Sequence, residues 1–276
     1  MTLQEALKTG ERKLEKREVP EAGLNAWYLF AASFHLTKSQ FYLRAEETAE
    51  EEPYRKYQQW LEKRCQRIPL EYITGQTEFM GLPFVVNQHV LIPRQDTECL
   101  AEEALHYVAG ADVLDLCTGS GCIGISLAKR GQCKSVTLSD FSAEALSVAA
   151  ENAERNGVSV EIVKSDLFQE MEGDFDLIVS NPPYIPRAEI PSLMPEVSKY
   201  EPVCALDGSE DGLLFYRRIT RDAGPFLRQG GRLLFEIGAS QGETVMQLMR
   251  EAGFSKIEVL PDLAGLDRIV SGQYKK

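Results

Sequence analysis

No apolar run in this chain approaches the length of a bilayer-spanning helix. The opening residues, Met1-Thr2-Leu3-Gln4-Glu5, read as neither a signal nor a transit peptide; Thr2 and Glu5 have capping-box spacing at the head of a charged amphipathic segment. The cytoplasm is the expected compartment, with no membrane partner. Histidine is scarce and scattered (35, 89, 106), and the six cysteines (65, 99, 117, 122, 133, 204) include no C-x-x-C pair. Neither a metal site nor a disulfide framework is expected. Reduced cysteines would serve as small apolar residues. An excess of positive charge is also missing. Of 30 Lys/Arg and 42 Asp/Glu, 12 of each fall within residues 1–75, so the remainder carries the whole net charge of −12. Proteins that grip a phosphate backbone concentrate cations, so no stable nucleic-acid partner is expected.

What is present suits a folded chain with ample core: 276 residues, 43% hydrophobic and 26% charged. Residues 1–75 read as a bundle of short helices, with apolar stripes at Leu3, Ala6, Leu7 and Leu14, at Leu24, Trp27, Tyr28, Phe30 and Ala31, and at Tyr57, Trp60, Leu61 and Cys65. The acidic run 46–52 suits a solvated loop and a first helical turn, where the helix dipole favours negative charge. Residues 78–86 alternate weakly around Gly81 and Pro83, as a hairpin would, which places the domain connection within 76–92. Asp96 or Thr97 would cap the helix that follows. Beyond it, strands at 112–116, 135–139, 159–163, 175–180, 231–236, 256–260 and 267–271 alternate with helices at 122–130, 142–156, 211–222 and 241–252. A loop of about 25 residues precedes the 211–222 helix. The pattern predicts a doubly wound, mainly parallel seven-stranded α/β sheet whose last two strands form an antiparallel edge pair.

The most informative stretch is Asn181-Pro182-Pro183-Tyr184, directly after the apolar strand 175–180. Ligands of open α/β sheets sit beyond the carboxyl ends of strands, so this tetrapeptide should line a pocket. Two prolines stiffen it and push the residues before them towards extended backbone. The Asn181 side-chain oxygen and the Pro182 carbonyl then form two acceptors at fixed spacing beside the Tyr184 ring. Such a pair suits a planar –NH2 group, either a carboxamide or the exocyclic amine of a base.

A glycine loop, Asp115-Leu116-Cys117-Thr118-Gly119-Ser120-Gly121-Cys122-Ile123-Gly124, joins the first strand of this sheet to its helix. Its glycines permit a tight turn and close ligand approach. Asp140 ends the next strand, where a carboxylate can accept both hydroxyls of a ribose or simply head a helix. NAD would use the same pieces. Asp115, however, would repel a pyrophosphate and attract a cation, which favours S-adenosylmethionine: a ribose, an ammonium and a sulfonium without phosphate. Ser165-Asp166-Leu167-Phe168, after the third strand, would flank an adenine or only cap a loop.

At this point the chain resembles the glutamine-N5 methyltransferases of peptide-chain release factors, the HemK/PrmC-like family. The resemblance spans essentially the whole chain: the helical N-terminal region, Glu71-Tyr72-Ile73-Thr74-Gly75, Leu91-Ile92-Pro93-Arg94-Gln95-Asp96-Thr97-Glu98, the glycine loop and the tetrapeptide. It continues through Glu201-Pro202, Ala205-Leu206-Asp207-Gly208, Glu236-Ile237-Gly238 and Asp262-Leu263-Ala264-Gly265-Leu266-Asp267-Arg268. It implies a class I methyltransferase domain over 93–276, a hairpin connection over 76–92 and a helical substrate-recognition domain over 1–75. It further implies methyl transfer from S-adenosyl-L-methionine, leaving S-adenosyl-L-homocysteine, to the glutamine of the Gly-Gly-Gln loop in class-1 release factors. Asn181, Pro182, Pro183 and Tyr184 would hold the substrate, and Asn181, Pro182 and Tyr184 would act in catalysis. Cofactor contacts would come from Asp115, Cys117, Thr118, Gly119, Ser120, Gly121, Asp140, Asp166, Leu167, Phe168 and Asn181, with no metal; the oligomeric state is left open, a monomer among the options. The tetrapeptide is shared with amino-group methyltransferases of DNA and RNA, so adenine N6 or guanine N2 is the alternative acceptor. Cys117 stands where many relatives carry glycine. Arg94 is left among three roles: donor, acceptor loop and domain seam.

Overall fold

The computed structural model describes residues 1–275. The chain divides into two compact units, Met1–Gly75 with Met194–Tyr200, and Gln76–Leu193 with the chain from Glu201 onward. In the first, helices α1 (Leu3–Glu15), α2 (Ala22–Phe34), α3 (Lys38–Arg44), α4 (Glu51–Cys65) and α5 (Leu70–Thr74) enclose one core around Leu14, Leu29, Phe30 and Tyr57. The capping box at α1 forms: the Glu5 amide donates to Thr2 Oγ1 and the Thr2 amide to Glu5 Oε2. Thr37 and Gln40 repeat it at α3. Gly10 is required where α1 meets α4, because a Cβ there would sit 1.8 Å from Tyr57 Oη. The second expected stripe is turned: α2 buries Asn25, Ala26, Leu29, Phe30 and Ser33, while Leu24 and Tyr28 are exposed. This helix is apolar nearly all round, so its neighbours, not its periodicity, choose the buried face.

The second unit starts with hairpin strands β1 (Gln76–Phe79) and β2 (Leu82–Val85), followed by α6 (Gln95–Leu105), β3 (Asp112–Leu116), α7 (Cys122–Arg130), β4 (Ser135–Asp140), α8 (Ala143–Asn156), β5 (Glu161–Lys164) and β6 (Phe175–Ser180). After α9 (Pro195–Tyr200) come α10 (Leu214–Asp222), β7 (Leu227–Glu236), α11 (Gly242–Glu251), β8 (Phe254–Pro261) and β9 (Asp267–Tyr274). The strand order is β5-β4-β3-β6-β7-β9-β8, parallel except for β9, which runs antiparallel to both its neighbours. The last two strands pair as expected, but β9 lies inside the sheet and only β8 at its edge. Their burial explains the order: residues 269–272 of β9 are all buried, whereas β8 alternates with solvent. Leu116 stands in register with Ser139 and Ser180, and Ser180 with Phe235, so the strand ends after β3, β4, β6 and β7 open on one rim. The order reverses at β3, the place where such sheets bind ligands. Two asparagines of α8 hold the hairpin to this sheet: Asn152 exchanges hydrogen bonds with the Val85 amide and carbonyl, and Asn156 Nδ2 donates to the Pro83 carbonyl.

The expected 25-residue loop after β6 contains α9, and that helix belongs to the helical unit. Its Glu196 is 7% exposed and receives Arg64 Nη2 at 2.7 Å, Arg67 Nε at 2.6 Å and Arg67 Nη2 at 2.8 Å. Arg64 also donates to Asn25 Oδ1 at 2.7 Å. Burial pushes the Glu196 carboxyl up, but the hydrogen bonds from Arg67 and Arg64 outweigh it and hold the group down at about 2. This stabilisation is complete above the ordinary carboxylate range near 4.5 and is lost as pH falls through about 2. Glu196→Ala leaves two guanidinium groups without their carboxylate, and at neutral pH it is expected to lower stability by about 3–5 kcal/mol, read from the urea unfolding midpoint. Near pH 2 the gap between variant and wild type should shrink.

Candidate active site

The turn that ends β3 is shaped by Asp115. Its Oδ2 accepts from Thr118 Oγ1 at 2.6 Å and from the Gly124 amide at 2.8 Å, drawing the loop and the first turn of α7 onto the strand. Gly124 makes this approach possible, since a Cβ there would lie 2.2 Å from Leu138 Cδ2 and 3.0 Å from Asp115 Oδ2. Cys117, Gly119 and Gly121 all take positive φ, at 62°, 54° and 81°. Cys117 therefore sits strained in a conformation that glycine adopts freely. At β4, Asp140 Oδ2 accepts from the Gly119 amide at 2.9 Å and Oδ1 from the Ser142 amide at 3.0 Å, so the second acid also braces the glycine loop.

These strand ends line an open cleft. Of the residues expected to touch a cofactor, Cys117, Thr118, Gly119, Ser120, Asp140, Asp166, Leu167 and Asn181 border it. Asp115 and Gly121 lie behind this lining. Asp115 is fully buried, and its Oδ1 has no hydrogen-bond partner among the described residues. Phe168 points elsewhere: it stacks on Phe226 at 4.8 Å in the core on the far side of the loop, and Leu167 takes the cleft-facing place. Asp166 pairs with Arg218 at 2.9 Å.

Asn181 and Pro183 border the same cleft, while Pro182, between them in sequence, and Tyr184 are not among the residues that line it. Asn181 Nδ2 donates to Thr97 Oγ1 at 3.3 Å, which leaves Oδ1, at the other end of the amide, as the free acceptor. Tyr184 is held at two points: its carbonyl accepts from Gln241 Nε2 at 3.0 Å and its hydroxyl donates to Glu236 Oε1 at 3.2 Å. Burial pushes its phenol well up, so it remains a donor. Arg94 borders the cleft and forms a two-point pair with Glu201 at 2.6 and 2.7 Å, within the sheet unit. Two participants escaped the sequence reading. Thr97, expected as a helix cap, lies inside α6, whose cap is Arg94. Glu236 ends β7 as Asp140 ends β4, and a carboxylate closing the run Leu233-Leu234-Phe235 was the available signal.

Burial raises the carboxyl groups of Asp115, Asp140 and Glu236 above their usual range, and in Asp115 the neighbouring Asp140 charge adds to it. Asp115 is pushed up to about 7. The folded state then holds a proton that the unfolded chain releases near 3.8, so this group costs stability as pH rises from about 4 to about 7. Asp115→Asn removes that titration. The stability difference between variant and wild type should move in the variant's favour across this window and level off above it, as urea unfolding at successive pH values would report.

Comparison with known proteins gives the chain's family. The PrmC N-terminal domain family matches residues 5–75, and the methyltransferase small domain family matches residues 95–193. A release factor glutamine methyltransferase of Geobacter sulfurreducens is 41% identical over 275 residues, covering 99% of this chain and 96% of the relative. One of Clostridium acetobutylicum is 42% identical over 250 residues, covering 86% and 87%. Among solved structures, a methyltransferase from Pyrococcus furiosus has the same fold at 18% identity, with a TM-score of 0.56 over 72% of this chain and 91% of its own. With identity of this order along nearly its full length, the chain belongs to the release factor glutamine methyltransferase family.

Proposed function

We propose that this protein transfers a methyl group from S-adenosyl-L-methionine to the side-chain amide nitrogen of the glutamine in the Gly-Gly-Gln motif of class-1 peptide chain release factors. The observation that carries the reading is Asn181, a cleft-lining carboxamide whose NH2 is tied to Thr97 and whose oxygen is left to accept.

The residues of the cleft suit this cofactor better than a dinucleotide. Its bordering basic groups are His89 and Arg94, and Arg94 is paired with Glu201, so a pyrophosphate has little to bind. Acids are better supplied. Asp140 and Asp166 border the cleft, and behind the loop Asp115 Oδ1, without a partner among the described residues, favours positive charge. Asp140 would hold a ribose, and the amides of the glycine loop and the Leu167 side chain would hold the base and chain. When bound, the cofactor supplies a methyl group on a positively charged sulfur that leaves readily.

The remaining task falls on the protein, because an amide nitrogen is a poor nucleophile whose lone pair is delocalised into its carbonyl. Asn181 Oδ1 and the Pro182 carbonyl each accept one amide hydrogen. They turn the nitrogen towards the methyl group and stabilise the positive charge that develops on it. The two prolines hold those acceptors at fixed spacing, and Tyr184, pinned through its hydroxyl and carbonyl, backs the amide plane. The helical unit would recognise the body of the release factor.

Asn181→Ala is expected to lower turnover by on the order of 10²–10³ while cofactor affinity changes little, measured with labelled cofactor and purified release factor. Asp140→Ala should weaken cofactor binding by roughly 10- to 100-fold, the worth of a charged hydrogen bond, with a smaller loss of rate at saturation. The same labelled cofactor offered with release factor, DNA and ribosomes tests the substrate class. Label on the glutamine is expected, and label confined to nucleic acid would refute the reading.

A further inference from the structure

Pro202, Cys204 and Ala205 form one wall of the cleft, and little regular structure holds them. Between β6 and α10, the sheet unit has among the described residues only 3₁₀ turns at Arg187–Ser192 and Val203–Ala205 and an isolated bridge between Ile185 and Asp207. The far end of the wall is tied by backbone. The Ile185 amide donates to the Leu206 carbonyl at 3.0 Å, and the Gly208 amide to the Ile185 carbonyl at 2.9 Å. Ile185 directly follows the tetrapeptide, and a Cβ on Gly208 would lie 2.9 Å from Tyr184 Cα, so this end is set against Tyr184. The near end is tied by charge. Arg94 Nη2 reaches both oxygens of Glu201, at 2.6 and 2.7 Å, and the Glu201 side chain is 1% exposed against 39% for Arg94.

We infer that Arg94 and Glu201 form a positioning pair that seats the wall 202–205 against the cofactor. The inference rests on the reading of this cleft as the cofactor's seat. Arg94 is itself firmly placed. It caps α6, its carbonyl accepts from the Thr97 amide at 3.1 Å, and Leu100, Ala101 and Ala104 bury that helix in the core. Three residues on, Thr97 receives Asn181 Nδ2. The first turn of α6 thus gives the acceptor carboxamide and the cofactor wall one fixed reference. Pro202 adds stiffness, since its own φ is fixed and it pushes Glu201 towards extended backbone. For the wall to lift, Glu201 would have to leave Arg94, and separating a buried carboxylate from its cation is costly. Pairing also offsets the guanidinium charge at the edge of the cleft, which suits a cationic ligand.

Calorimetric titration with S-adenosyl-L-homocysteine tests the pair without turnover. Arg94→Met and Glu201→Gln should each weaken binding on the order of tenfold, and the double variant should lie near the singles, well short of the product of their losses. One nitrogen makes both contacts, so a point charge can serve, and Arg94→Lys should stay within about threefold of wild type. Cys204, exposed and bordering the cleft, supplies a second readout. Saturating S-adenosyl-L-homocysteine should slow its modification by neutral N-ethylmaleimide on the order of tenfold in wild type and Arg94→Lys, followed by mass spectrometry of its peptide. In Arg94→Met and Glu201→Gln, full occupancy should slow it by less than about threefold. Wild-type affinity and protection in Glu201→Gln, with affinity lost in Arg94→Met, would mean that Arg94 grips the ligand directly, and would overturn the inference. So would multiplicative losses in the double variant, or a wild-type Cys204 that bound ligand leaves unprotected. Should Glu201→Gln fail to fold, the protection of Cys204 in Arg94→Met and Arg94→Lys at saturation decides by itself. A wild-type protein that binds no S-adenosyl-L-homocysteine would defeat the reading of the cleft itself, a failure distinct from these.

Discussion

Asp115 is fully buried and, among the described residues, hydrogen-bonded through only one oxygen, and the functional rim of the sheet takes its form from that single carboxylate. By receiving Thr118 and the Gly124 amide, it bends the chain out of β3, across three positive-φ residues and into α7. Above about pH 7, where Asp115 is ionised, neutral asparagine would accept the same two bonds more weakly, since a charged acceptor roughly doubles a hydrogen bond. Asp140 completes the brace from the neighbouring strand by receiving Gly119. The glycine loop is thus held by carboxylates from two strands before any ligand arrives, which keeps its geometry preorganised.

The same device recurs along the rim. Asp140, Asn181 and Glu236 each sit at or just past the end of a strand that is buried along most of its length. Parallel strands covered on both faces are apolar throughout, so the first polar residue at the carboxyl end falls where the helices no longer cover the sheet. Placing the acids Asp140 and Glu236 there, with Asp115 one residue before the end of β3, is electrostatically costly, as their raised carboxyl groups show. A cationic ligand offsets part of that cost, which makes the acidity of this domain a feature of its site and not only of its surface.

The helical unit follows other rules. Its helices are stopped and started by local chemistry, with capping boxes at Thr2 and Thr37, yet its most demanding contact comes from a distant part of the chain. Glu196 lies more than 120 residues from Arg64 and Arg67 in sequence and joins them in a buried network with Asn25. Such a network adds little net stability compared with apolar packing, but it tolerates no partial removal, and so it specifies where 194–200 must dock.

Much of this molecule could be read along the chain. Strand β3, helix α7 and strand β6 fall where the apolar runs end, because buried parallel strands and glycine-closed helices leave strong local marks. The tetrapeptide, Asp115 and Asp140 stood out because a polar residue at or near the end of such a run falls where open α/β sheets bind ligands. What the chain could not reveal alone were choices between equally good local options. Leu167, not Phe168, borders the cleft because Phe226 takes the Phe168 ring. The all-round apolar helix α2 turns its Asn25 inward because Arg64 waits there. Strand β9 enters the sheet ahead of β8 because β8 carries Lys256 and Glu258, which need a solvent-facing side, while the buried residues 269–272 of β9 carry no charge. Thr97 could cap a helix or steady an amide, and only the arrival of Asn181 from beyond β6 decides it. Periodicity and residue chemistry act between near neighbours and so survive in the sequence by themselves. Hydrogen-bond direction, buried charge pairing and strand order depend on groups that meet only once the chain has folded.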